Sequence, residues 1–104
     1  MRSGRAFLFE ALREIWEEAA AGRTPTLQQR AIARLAAAKA AEASAQAVDL
    51  LFNAAGGTAL FESCLIERCF RDVHGTTQHI GTQQANFELA GRVLLGLEPG
   101  TPRF

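Results

Sequence analysis

Charge of one sign, long apolar runs and chemistry-bearing side chains are all scarce in this chain of 104 residues. Eleven basic residues are balanced by eleven acidic ones. With no basic block among them, a nucleic-acid or membrane-surface partner has no electrostatic footing. No apolar run approaches the ~20 residues that a membrane span requires. No signal-peptide core is visible, because Met1-Arg2-Ser3-Gly4-Arg5 leads straight into an amphipathic pattern. Only two cysteines occur, and Cys64 and Cys69 stand five apart, which on a helix turns them to different faces. Reduced thiols in a cytoplasmic protein are expected, not a disulfide or a metal pair. The two histidines have no carboxylate or thiol at ligand spacing, so no metal site is expected. Neither strand alternation nor an internal repeat is present.

What remains is apolar and helical. Hydrophobic residues make up 48% of the chain, enough for one domain. Much of that share is alanine, which buries little per side chain, so the domain would gain from association. Phe7, Leu8, Ala11, Leu12, Ile15, Trp16 and Ala19 recur at three-to-four spacing and predict a helix over roughly 4–21. Ser3 is its expected cap and Gly22 its stop. Thr24-Pro25 offers a fresh N-cap and N1, and nothing breaks a helix from there to about Ala55. Along it Lys39, Glu42, Gln46, Asp49 and Asn53 form a polar stripe opposite Ala41, Ala45, Val48 and Phe52. Such an alanine face lets neighbouring helices approach closely. Gly56-Gly57 ends the run, and Thr58 to Ser63 connects to a third helix over about Cys64 to Gln78. Glu67–Arg71 and Arg68–Asp72 are i,i+4 ion pairs on it. After a loop at His79 to Thr82, a fourth helix is expected from Gln83 to about Gly96, with Glu88–Arg92 paired on its outer side. The prediction is all-α, an up-and-down four-helix bundle.

Singly, the motifs are weak. Gly56-Gly57 follows a helix, not a strand, and is no dinucleotide turn. Neither cysteine has an activating base near it in sequence. His79 reads as a loop residue, His74 as a helix-surface or inter-helix hydrogen bonder, and Arg71-Asp72 as a pair that could pin one helix to the next.

Jointly, several features keep one register over about half the chain: a long helix, Gly56-Gly57, the run Glu67-Arg68-Cys69-Phe70-Arg71-Asp72, and a loop ending Gly81-Thr82. That order resembles the C-terminal helical domain of the acyl-CoA dehydrogenase superfamily. The resemblance implies a flavin, FAD or FMN, shared with other domains and a neighbouring subunit. It assigns Asn53, Gly56, Gly57, Gly81 and Thr82 to cofactor binding, the first three at the adenosine or pyrophosphate end and the last two in the loop that follows His79. Where the dehydrogenases carry their catalytic Glu, directly before Gly-Thr, stands Ile80. Proton abstraction beside a thioester needs a carboxylate base, and isoleucine is none. His79 instead matches the flavin-dependent monooxygenase branch, where an imidazole in this loop would relay a proton at the reactive edge of the flavin.

Two classes of function follow. One is the C-terminal domain of a two-component monooxygenase that uses O2 and reduced flavin from a separate flavin reductase. An N-terminal helical domain and a middle β-domain would complete the site, so the chain alone would be inactive. The dehydrogenase branch is its runner-up. The other is a non-enzymatic helical module that forms dimers or tetramers through its exposed apolar faces.

Overall fold

The computed structural model describes residues 2–104, which form the expected all-α four-helix bundle. The helices are α1 (Arg2–Ala20), α2 (Leu27–Ala55), α3 (Leu65–Thr77) and α4 (Ala85–Leu94), with a 3-10 turn at Gly56–Leu60. No strand occurs among the described residues. The long helix α2 is the spine. Helices α1, α3 and α4 each pack on it and, among the described residues, not on one another.

The reason lies in side-chain size. The buried residues of α2 are Ala31, Ala36, Ala38, Ala41 and Ala45, all methyl groups. Helix α1 answers with Gly4 and Ala11. A Cβ added at Gly4 would lie 3.7 Å from the Cα of Ala40, so the two backbones nearly touch there. Large apolar residues stay outside: Trp16 is 74% exposed and Leu95 79%. The radius of gyration, 16.4 Å, exceeds the ~13 Å of a compact domain this size. The bundle is elongated and open.

Local signals set the helix ends. Gly22 adopts φ 72°, its N–H donates to the Ala19 carbonyl, and Arg23 N–H reaches back to Glu18. This paired return needs a left-handed residue, hence glycine. Arg23 also forks onto the Glu18 carboxylate at 2.7 and 3.1 Å. That hydrogen bond lowers the Glu18 carboxyl below its ordinary value and raises Arg23 above its own. Gly96 closes α4 in the same way, with Leu97 N–H on the Arg92 carbonyl.

Four expectations need correction. Ser3 lies inside α1, not at its cap. The start of α2 falls at Thr26 instead of Thr24-Pro25, because Thr26 and Gln29 form a reciprocal box. Gln29 N–H donates to Thr26 Oγ1 at 3.1 Å, and Thr26 N–H to Gln29 Oε1 at 2.9 Å. Two satisfied donors outweigh the proline signal. Arg71 and Asp72 pin no helices together: Arg71 pairs with Glu67 at 2.6 Å and Asp72 with Arg68 at 3.6 Å, all within α3. Glu67, by hydrogen bonding, raises Arg71 above the usual arginine value. Finally, Arg92 turns away from Glu88 and donates to the Glu98 carbonyl at 2.9 Å.

The link from α3 to α2 is made by His74, whose Nε2–H donates to Asp49 at 2.8 Å. Phe70 stacks between His74 and Phe52, with ring centroids 4.5 and 4.4 Å away. Both cysteines are free.

Replacing Thr26 by Ala removes one half of the reciprocal box. Urea unfolding should show a loss of about 1 kcal/mol, and an unchanged midpoint would refute the capping role.

Candidate functional site

The turn between α3 and α4 is stiffened by its own hydroxyls and by one carbonyl. Thr77 Oγ1 donates to the His74 carbonyl at 2.8 Å, and Thr76 Oγ1 to that of Asp72 at 2.9 Å. The His79 carbonyl accepts from the N–H groups of Thr82 and Gln83 at 2.9 and 2.8 Å. The Thr82 hydroxyl donates to the carbonyls of Thr76 and His79. His79 is thus held firmly by its main chain although its residue is exposed.

Its ring is held too. The Gly81 N–H donates to His79 Nδ1 at 3.1 Å. A ring nitrogen that accepts carries no proton, so the neutral imidazole has its hydrogen on Nε2. The Nε2–H has no hydrogen-bond partner among the described residues. The absence of a side chain at Gly81 lets the ring come close: a Cβ there would sit 3.3 Å from Nδ1, so the imidazole would have to give by a few tenths of an ångström.

Two residues not singled out from the sequence organise this turn. Asn86 is fully buried, at 0% exposure, and is the largest side chain so enclosed. Its Nδ2 donates to the carbonyls of Ile80 and Gln83 at 2.9 and 3.0 Å. Its Oδ1 accepts from Arg34 Nη1 at 3.1 Å. An amide between Ala85 and Phe87 in the first turn of α4 is the only local signal. Arg34 then reaches the C-terminal segment, donating to the Arg103 carbonyl and lying 4.9 Å from the Phe104 ring centroid. Arg30 donates to the Phe104 main-chain oxygen at 3.1 Å.

His79 and Ile80 open onto a cleft of about 710 Å³, whose other walls include Ile15 of α1, Ala33 and Ala37 of α2, Leu89 of α4 and Phe104. Arg30, Arg34 and Arg103 line it, and no carboxylate side chain does. This volume falls in the ~300–1,000 Å³ range of small-molecule sites. A polar cavity of about 440 Å³ lies on the other side of the turn, between Glu42, Gln46 and Asp49 of α2 and Gln83, Gln84 and Phe87. His79 does not line it, so the larger cleft is the candidate site.

The predicted residues divide into two groups. His79, Gly81 and Thr82 come together in the turn, with the Thr82 hydroxyl engaged in shaping it. Asn53, Gly56 and Gly57 lie near the far end of α2. Asn53 is sixteen residues beyond Ala37, the last α2 residue of the cleft, or roughly 24 Å at 1.5 Å per residue. Gly56, at φ 57°, caps α2 by donating its N–H to the Asn53 carbonyl, so that donor is taken. Gly57 faces open space, with nothing within 4 Å of a Cβ placed on it, and the Asn53 residue is exposed.

Substituting Gly81 by Ala should displace the imidazole by a few tenths of an ångström and weaken its bond to the residue-81 N–H. The ring ¹⁵N signals of His79 are then expected to shift while those of His74 stay in place. An unshifted His79 would contradict the close approach.

The family model described as Acyl-CoA dehydrogenase, C-terminal domain, matches residues 1–84. Indole-3-acetate monooxygenase of Pseudomonas putida is 27% identical over 95% of this chain and 25% of its own length. The oxygenase component of p-hydroxyphenylacetate 3-hydroxylase from Acinetobacter baumannii is 36% identical over 72% of this chain and 18% of its own. The crystal structure of the HsaA monooxygenase from M. tuberculosis superposes with a TM-score of 0.79 at 28% identity, covering 93% of this chain and 26% of that one. The chain therefore spans about a quarter of the length of the curated relatives it matches most fully, and it belongs to the acyl-CoA dehydrogenase C-terminal domain family.

Proposed function

We propose that the chain is the C-terminal helical domain of a flavin-dependent monooxygenase, an oxygenase component that hydroxylates an aromatic substrate with O2 and flavin reduced by a separate reductase. The observation that carries this reading is the pair His79-Ile80. The position before Gly81-Thr82 offers only an aliphatic side chain, 53% exposed, and no carboxylate base lines the cleft. The adjacent imidazole keeps an unpartnered Nε2–H; the neutral ring can hold an oxygen at the reacting centre by a hydrogen bond, and once Nδ1 has also taken up a proton the imidazolium can hand one over. The dehydrogenase alternative lacks a base in this loop.

The residues fit one edge of a shared flavin site, not an enclosing pocket. An exposed amide at Asn53 and open backbone at Gly57 suit a cofactor tail held mainly by other domains or a neighbouring subunit. Gly56, whose N–H is engaged, shapes the bend instead. When bound, reduced flavin would supply the electrons that activate O2. An N-terminal helical domain and a middle β-domain would complete that site, and the chain alone would not turn over. A tail that reaches Asn53 and Gly57 belongs to FAD; FMN, which ends at its monophosphate, would meet the turn alone.

In a full-length enzyme carrying this domain, His79→Asn should lower hydroxylated product by roughly 10²–10⁴-fold while reduced flavin is still consumed. Product formation at the parent rate would overturn the reading. Saturable binding of FMN or FAD to the chain alone would favour it over a pure assembly module.

The second reading, an oligomerising module, rests on the exposed Trp16, Leu60, Phe61, Leu65 and Leu95. Patches of this kind mark surfaces that associate. The module reading requires a dimer or tetramer at micromolar concentration by sedimentation. A monomer there would exclude the module and leave the apolar faces to other domains.

A further inference from the structure

The Ile80–Gly81 peptide unit is planar, so its carbonyl and its N–H turn as one body. Asn86 Nδ2 holds the carbonyl at 2.9 Å, and the N–H of the same unit donates to His79 Nδ1 at 3.1 Å. Asn86 therefore never touches the imidazole but fixes the plane of the donor that does. Were that peptide to rotate, an oxygen instead of an N–H would face Nδ1. The ring proton would then favour Nδ1, and Nε2 would change from donor to acceptor.

Asn86 is itself fixed from behind. Flipping its amide would set NH2 against the Arg34 guanidinium and oxygen against two carbonyls, so its orientation is determined by its partners. Arg34 in turn bridges to the Arg103 carbonyl and lies against the Phe104 ring. That ring packs on the cluster of Ala31, Ala90 and Val93. An unbroken series of contacts thus runs from the C-terminal segment through Arg34, Asn86 and one peptide plane to His79.

We propose that Arg34 and Asn86 are positioning residues which, anchored by Arg103 and Phe104, hold His79 in its Nε2–H tautomer. Its significance for catalysis rests on the proposed role of His79, but the tautomer itself can be read without any flavin or substrate.

The test is the pair of ring ¹⁵N shifts of His79 in the 104-residue chain, with hydrogen exchange at the Gly81 amide. The parent should show a protonated Nε2 and a bare Nδ1. Asn86→Asp keeps the size and the acceptor for Arg34 but removes the donor to Ile80. Arg34→Met removes the bridge to the tail. In both, the two ring nitrogens should converge, and Gly81 exchange should rise about tenfold, the equivalent of losing one hydrogen bond. Arg34→Lys should restore part of the parent pattern, and Phe104→Ala should give a smaller shift of the same sign. His74, bonded to Asp49, serves as the internal control and should not move.

A parent-like His79 in both Asn86→Asp and Arg34→Met would overturn the proposal. If Asn86→Asp fails to fold, Arg34→Met and Phe104→Ala decide alone. Should His79→Asn leave the full-length enzyme active while the tautomer still follows Arg34, the functional reading falls and this coupling stands.

Discussion

Along α2 the inward side chains at Ala31, Ala36, Ala38, Ala41 and Ala45 are methyl groups, and a methyl group sets how near a neighbouring helix can lie. At Gly4 the α1 backbone comes within a methyl's thickness of Ala40. Close approach gives many weak dispersion contacts, each worth only ~0.1–0.2 kcal/mol, and little apolar area removed from water. Three helices can therefore share one spine without filling a core of large side chains. The leucines and aromatics that would form such a core elsewhere, Trp16, Leu50, Leu60 and Leu65 among them, are left on the outside. Their exposure follows directly from the alanine seam.

Against that open background the turn carrying His79 is tightly determined. Asn86 is the one buried polar side chain of the described residues, and its side-chain hydrogen bonds all go to the turn or to Arg34. Removing one partner of a buried group costs about 1–3 kcal/mol, so the turn resists alternatives that the loosely packed helices would tolerate. Rigidity is concentrated where a side chain must be aimed and is spared elsewhere. The polar stripe of α2 serves the same region from the other side, with Asp49 fixing His74 and hence the end of α3.

The helices were legible because their signals are local. Gly22, Gly56 and Gly96 need left-handed backbone where the chain turns, and the apolar spacing of α1 and α4 marks their faces. Local signals mislead only when two compete. Pro25 suggested a start that the Thr26–Gln29 box overrules, and Arg71-Asp72 suggested a cross-helix pair where each residue had a nearer partner four positions back. His74, read from the sequence as a helix-surface or inter-helix hydrogen bonder, is the second of these. Asn86 was invisible for a different reason. Its partners are two carbonyls, which every residue possesses, and an arginine 52 residues away. No spacing rule connects such groups. The family was readable because Gly56-Gly57, the charged α3 run and Gly81-Thr82 are held in fixed register by the helices between them.

Position 80 shows how one peptide can keep a scaffold and change its chemistry. Its carbonyl is bound by Asn86 and its neighbour's N–H by His79, so that peptide unit is engaged on both sides whatever side chain stands there. The side chain is consequently free to vary without disturbing the turn. A carboxylate at this place would face a cleft lined by Arg30, Arg34 and Arg103, and ion pairing with them would lower its basicity. With isoleucine, the cleft offers cationic and N–H donors, arranged around an apolar floor, and no acidic side chain. Such a surface stabilises negative charge and cannot remove a carbon-bound proton through a carboxylate. On the proposed reading, chemistry in this turn passes to the residue before it, whose imidazole is oriented by the same peptide plane that position 80 supplies.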